Sequence, residues 1–480
     1  MTMAVSITQT LRRWDLNRFR PLVWITALLM AISATRIIYE TRNYYFFSDD
    51  FLNFIVTTEL HLGRPLLFHD WIGELIPLYG LIHWVYLKLF GVVFWPFRVM
   101  LVLFQWSVIL LTARFGQRRG LHPAILIPAL TILTLSPIYG TPYQWYSAAL
   151  QVLGEGLAGL AAIYVFAVPG RLTPYRFLAG SLLYMTGMFL FPKGLFVAGL
   201  LFGVRWFAAA SQGLALRSAI LRAMLDISLI LAMGIAYMAA QVLGHHSSGV
   251  PVAGPALTLH YIWVGWNTGF LTGVLGLDQP FPGRVILANL IFAAIVAASI
   301  WRNPRTVTLW VSFGVYFFVT MAAVAINRAM TFGLESAETP RYFTDILGFF
   351  VAYTLVAFAH PPGFGRRALT RVQFAAVAAL TAACGAFWLA ADSRVPYLWD
   401  RPKRNEAFVQ NVKDAIRQTG PTAKIADTKV PDWVMPQWIW PLTQYRYFLL
   451  IFPNHGRVVP AADADFIFTS DGTLQKSKGK

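Results

Sequence analysis

The sequence predicts an α-helical polytopic membrane protein with about eleven transmembrane helices and a small soluble α/β domain at its C-terminal end. Three observations carry that expectation. Only 13% of the 480 residues are charged and 57% are hydrophobic, against roughly 25% charged in ordinary soluble domains. The apolar residues gather in runs of about 17–25, the length that crosses roughly 30 Å of hydrocarbon as an α-helix. The basic residues between those runs fall on alternate sides of the membrane.

The expected spans are approximately 21–40, 96–113, 123–138, 145–168, 175–191, 194–210, 219–243, 285–301, 306–326, 343–361 and 372–391. Arg12, Arg13, Arg18 and Arg20 ahead of the first run imitate a signal peptide. That run is longer than a signal core and more spans follow, so it reads as an uncleaved first span. With the N-terminus in the cytoplasm, the inner connections hold Arg114, Arg118 and Arg119, then Arg171 and Arg176, then Arg205, Arg217 and Arg222, then Arg302 and Arg305, then Arg366, Arg367 and Arg371. This alternation requires that the apolar stretch 75–91 does not cross. The stretch is preceded by Glu74, has Pro77 near its start and contains His83 and Lys88, and its Tyr79, Trp84 and Tyr86 suit a helix lying among the headgroups. Residues 51–60 read the same way.

The net charge of +17 is therefore a matter of orientation in the bilayer. No basic groove interleaved with aromatics is present, so no nucleic-acid partner is expected. The single cysteine, Cys384, excludes an intrachain disulfide.

The same topology leaves residues 41–95, 139–144, 244–284, 327–342 and 392–480 outside, and divides the chain into a transmembrane domain, 1–391, and a tail domain, 392–480. In the tail Lys, Arg, Asp and Asn return. Residues 406–418 read as an amphipathic helix, 423–425 as the start of a strand, and 464–469 as a strand before the turn at Asp471-Gly472. About 90 residues suffice for a small α/β fold with a modest core.

The sharpest local feature is Tyr44-Tyr45-Phe46-Phe47-Ser48-Asp49-Asp50-Phe51. An interfacial aromatic belt accounts for Tyr44 to Phe47. The aspartates need more, because carboxylates beside an apolar surface are costly unless paired, hydrated or bound to a cation. The plain alternative is a cap on a helix beginning at Phe51. Glu59, His61, His69, Asp70 and Glu74 follow in the same loop, in no metal-binding spacing.

The acidic pair after the first span, the Gly63-Arg64-Pro65 turn, Asp70, the interfacial helix with Pro77, Gly91, and Trp95-Pro96-Phe97-Arg98 opening the second span together resemble the GT-C superfamily of integral membrane glycosyltransferases, of the arabinosyl-, aminoarabinosyl- and mannosyl-transferring type. The resemblance extends over the topology to about residue 391. It implies an inverting transfer from a polyprenyl-phosphate sugar donor to an extracytoplasmic glycan, glycolipid or protein acceptor, at a bacterial inner or plasma membrane. In such enzymes an acidic residue of the first external loop is the general base toward the acceptor hydroxyl. Asp49 and Asp50 are the matching positions. Neighbours on a helix project about 100° apart, so adjacency leaves open which one enters the site, with Asp49 favoured as the first.

A leaving lipid phosphate calls for arginine or lysine at membrane-surface depth. Lys193, in Phe191-Pro192-Lys193-Gly194, is favoured by the resemblance, against simple snorkelling to headgroups. Arg328 follows the ninth span, and Arg341-Tyr342 opens the tenth, a pair similar to one that binds the donor in the superfamily. These three cations would neutralise the phosphate without a metal, so a divalent cation is left open. Glu155 lies about 18 Å past Tyr143 along its helix. It reads either as part of a proton or substrate route or as a partner of Gln144, Gln151 or Lys193. Asp226 reads as structural. Asp70, Glu74, Tyr143, Trp145, Tyr146, His260 and Trp263 are the further candidates for contact with substrate, beside an interface-belt role for the aromatics. A membrane transporter or lipid flippase is the competing reading, and a noncatalytic scaffold presenting the tail a third.

Overall fold

A computed structural model describes residues 16–60, 62–69, 71, 74–244, 252–275, 283–359, 401–436 and 442–477. Among them, seven helices are long and apolar enough to cross a membrane: Pro21–Thr41, Trp95–Arg118, Pro123–Gln144, Tyr146–Phe166, Pro192–Ser211, Arg284–Arg302 and Pro304–Phe332. The count is eight if one bent pair is a single span. The protein is thus a mostly α-helical polytopic membrane protein. Sequence chemistry sets the starts of several of these helices and of Pro174–Leu190. Pro96, Pro123, Pro174 and Pro192 stand in first turns, where a missing N–H costs nothing. Side chains of His122 and Thr173 accept the free backbone N–H of Ala124 and Arg176.

Three expected spans take a different form. The stretch 219–243 divides into Leu216–Asp226 and Ser228–Leu243, bent by 61°, where Asp226 turns to pair with Arg205 and Arg222. The expected spans 175–191 and 343–361 form Pro174–Leu190, 17 residues, and Thr344–Phe358, 15 residues, both shorter than the others. The expected span 372–391 lies outside the described residues. The stretch 75–91 forms Pro77–Phe90, 14 residues, which at 1.5 Å per residue is about 21 Å and short of a crossing. It packs on the helix Asp49–Glu59 and on Pro174–Leu190.

The aromatic motif is not an exposed belt. Tyr44, Tyr45, Phe46 and Phe47 are all buried, and Phe46 sits edge-on to Phe54, Tyr86, Phe94 and Tyr146. The segment 255–275, expected as an external loop, is a continuous helical stretch of Pro255–Val264, the π-turn Gly265–Leu271 and Thr272–Leu275. It packs against Arg284–Arg302 and Val307–Phe332.

The tail opens with the helix Arg401–Thr419 and continues into four short strands, β1 (Lys424–Ala426), β2 (Arg457–Val459), β3 (Phe466–Phe468) and β4 (Leu474–Lys476). The sheet order is β2-β1-β3-β4. β1 runs parallel to β2 and β3, and β4 is antiparallel to β3. This small domain is docked on the loop that follows the first span. The Ser48 N–H donates to the Val434 carbonyl at 3.1 Å, Asn405 Nδ2 to Phe46 O at 2.9 Å, and Lys413 Nζ to Val92 O at 2.8 Å. Phe448 closes the contact against Phe51, with ring centroids 5.4 Å apart.

Candidate functional site

The site begins at a strained residue. Ser48 has φ 52° and ψ −116°, a backbone state that costs a non-glycine residue about 1–3 kcal/mol. Its N–H is held by Val434 and its carbonyl accepts from Phe51 and Leu52, so the neighbours over-determine it. The helix starts at Asp49 rather than Phe51, and the two carboxyls part company.

Asp50 is fully buried. Its Oδ1 accepts from the Ser147 N–H at 2.8 Å and the Ser147 hydroxyl at 2.5 Å, and its Oδ2 from the Phe47 N–H at 3.2 Å. Ser147 lies in the first turn of the helix Tyr146–Phe166, whose own N-cap position, Trp145, makes no side-chain cap. Asp50 therefore caps a helix far along the chain, satisfying a free donor of its first turn. Burial pushes its carboxyl up to about 7, against the opposing pull of the Ser147 and Phe47 hydrogen bonds. Asn53 joins the same knot, donating to Tyr79 OH at 2.7 Å and Ser147 Oγ at 2.9 Å.

Asp49 points elsewhere. It is half-buried, and its Oδ1 accepts from the Ser48 hydroxyl at 2.8 Å. Burial raises its carboxyl above the ordinary range, while the Ser48 hydrogen bond and the positive charges of Arg341 and Arg328 pull it back. A carboxyl whose burial makes it a stronger base than usual, with cations nearby, is suited to accepting a proton.

Arg328 lies near the C-terminal end of the helix Val307–Phe332, and Arg341 in the short turn Pro340–Tyr342 that leads to Thr344–Phe358. The Arg341 guanidinium lies over the Trp145 ring, 4.5 Å from its centroid, and Trp145 in turn packs 5.5 Å from Phe47. Arg341 Nη2 donates to Tyr342 OH at 3.2 Å. Tyr261, whose hydroxyl lies 3.1 Å from Ser336 Oγ, is within electrostatic reach of Arg341, Arg328 and Tyr342. Asp49, Trp145, Arg328, Arg341 and Tyr342 are thus brought together from four separate stretches of sequence.

Lys193 reaches this group only through another. Its ammonium donates to Asp345 Oδ1 at 2.6 Å and to the Tyr342 carbonyl at 2.7 Å, so it holds the turn that carries Arg341. Gly194 lets it do so, because a Cβ there would stand 2.7 Å from the backbone carbon of Gly187. Asp345 also accepts from the Tyr316 hydroxyl at 2.8 Å, and Glu155 lies against it. An apolar groove of about 610 Å³, lined by Tyr184, Leu195, Gly234 and Met238 among others, opens beside the Lys193 turn.

The remaining candidates lie apart. Tyr143 is buried, donating to Gln105 Oε1 at 3.0 Å, and Tyr146 is buried among Phe46, His83, Tyr86 and Phe97. His260 and Trp263 are exposed on their helix, which turns Tyr261 inward instead. Glu74 faces Tyr79 and Tyr237, and Asp70 lies outside the described residues. His83 is buried with Nδ1 donating to Tyr79 O at 3.0 Å, and burial pushes its imidazole down to about 3, leaving it neutral. Among the described residues no group of three or more His, Cys, Asp or Glu is placed to hold a metal ion.

Sequence reasoning passed over Ser48, Ser147, Tyr316 and Asp345. Asp345 carried a legible signal, a carboxylate in an apolar run three residues after Tyr342. Arg36 was also missed. Inside the first span it pairs with Glu40 at 2.7 Å and donates to the carbonyls of Thr134 and Ser136. No protein-family model and no curated protein matches the chain.

Proposed function

We propose that the chain is an inverting glycosyltransferase of GT-C-like architecture, moving a sugar from a polyprenyl-phosphate donor to a glycan, lipid or protein acceptor outside the cytoplasm. The observation that carries this reading is the half-buried Asp49 carboxylate within electrostatic reach of Arg328 and of Arg341, whose guanidinium lies over the Trp145 ring. In this reading the N-terminus is cytoplasmic, about eleven helices span, and the loop 41–95, the turn 327–342 and the tail share the outer side.

Asp49 takes the proton of the acceptor hydroxyl as its oxygen bonds to the anomeric carbon. The bond from that carbon to the phosphate oxygen breaks on the opposite face, and polyprenyl phosphate leaves with the electron pair. Arg341 and Arg328 meet the charge that develops on it. Lys193 holds the Arg341 turn, and the apolar groove beside it suits a prenyl chain. Asp50 fixes the loop and takes no part in proton transfer.

The test is transfer in liposomes from a panel of polyprenyl-phosphoryl sugars, with and without a chelator. Asp49→Asn should lower turnover by about 10²–10⁴-fold while the protein stays folded, and full turnover in that variant would sink the assignment. A second reading, a transporter, is favoured by one observation, the Glu155, Lys193, Asp345 and Tyr316 cluster drawn from four elements. Substrate movement without transfer from any donor would decide for it.

A further inference from the structure

Glu155 is a buried acid that the proposed chemistry does not use. It is 0% exposed, it lies midway along the crossing helix Tyr146–Phe166, and neither carboxyl oxygen has a hydrogen-bond partner. Its neighbour across the helix contact is Asp345. A Cβ on Gly156 would stand 3.2 Å from the Asp345 Cα, which sets the Glu155 helix directly against the Asp345 backbone and brings the two acids within electrostatic reach.

Two ionised carboxylates cannot bond, since each only accepts. Asp345 is already supplied by Lys193 and Tyr316, and one ammonium balances one carboxylate. The second carboxyl is then an uncompensated charge in a low-dielectric interior unless it holds a proton. The groups facing the pair are Lys193 from the turn Pro192–Phe196, Tyr316 from Val307–Phe332, and Tyr139, which faces Asp345 from Pro137–Tyr139. Helix Pro174–Leu190 presents Gly187, a residue without a side chain.

We infer that Glu155 is an intramembrane proton-binding site beside the Asp345–Lys193 pair, and that the one proton it holds leaves the cluster electrically neutral. The ligand is the proton itself. Because Lys193 also holds the Tyr342 carbonyl, loss of the proton draws the ammonium toward two carboxylates and loosens the turn that carries Arg341. The site stands independently of the glycosyl-transfer reading.

Infrared difference spectra of the purified chain in detergent at pH 7 test it. Subtracting Glu155→Gln from the native spectrum should leave one carboxylic-acid C=O band, and a carboxylate band in its place would overturn the proposal. In Asp345→Asn, Glu155 should ionise beside Lys193 and the acid band should vanish, so a band that survives would overturn the charge balance on which the site rests. The native chain carrying carboxyl-labelled glutamate gives a check free of any folding defect. An isotope-shifted acid band is expected at pH 7, and its absence would overturn the site.

Discussion

Two clusters of charge in this protein use similar residues to opposite effect. At one end of the bundle Arg205, only 1% exposed, donates to Asp226 at 2.6 and 2.9 Å and to the carbonyls of Phe166, Val168 and Gly170. Arg222 reaches the other oxygen of Asp226 at 3.1 Å. This cluster is closed, with its carboxylate bonded at both oxygens and the guanidinium anchored to helix ends. Around Asp49 the balance is open, for a half-buried carboxylate with one side-chain partner lies within reach of two cations, one from a distant helix end and one from the turn after it. A closed network stabilises one arrangement, whereas an open one retains capacity for a ligand.

Breaking the closed cluster should produce the largest change. Arg205→Ala should cost about 3–5 kcal/mol, read as a lower melting temperature in detergent, with the activity of the molecules that remain folded unchanged. Arg341→Ala should do the reverse, lowering transfer by roughly 10²–10³-fold at nearly native melting temperature. A matching fall in stability in both variants would erase the distinction between the clusters.

Asp50 sharpens the contrast between neighbours. Its folded value, about 7, lies above its ordinary 3.8, so its stabilising contribution is complete below about pH 4 and is lost as the pH rises through 7. Melting of the native chain should fall by roughly 2–3 kcal/mol between pH 5 and 8, and Asp50→Asn should flatten that dependence. The smallest effect is expected at the tail. Asn405→Ala removes the bond to the Phe46 carbonyl and should cost about 1 kcal/mol, measured as easier proteolytic release of residues 401–477.

Much of the helical framework was legible because it is written in local terms. Runs of apolar residues, proline in first turns and the short, polar-tipped character of 77–90 each act within one element. The bend at Ile227 was not legible, since it depends on Asp226 finding Arg205, which is 21 residues away and on another helix. The aromatic motif misled for a related reason. Tyr and Phe beside a span suit an interface belt and a buried core equally well, and only the packing of Phe54, Tyr86, Phe94, Trp145 and Tyr146 around the motif decides for burial.

By itself the sequence determined that this chain enters a membrane many times, that an acidic pair follows the first span, and that a small mixed domain ends it. Those properties follow from transfer energies and periodicities that belong to single segments. The tertiary structure alone decided that Asp50 caps the helix at Ser147 while Asp49 faces Arg341, and that Lys193 is taken up by Asp345, 152 residues away. Successive helical residues point about 100° apart, and which direction leads to a partner is fixed only when distant elements pack.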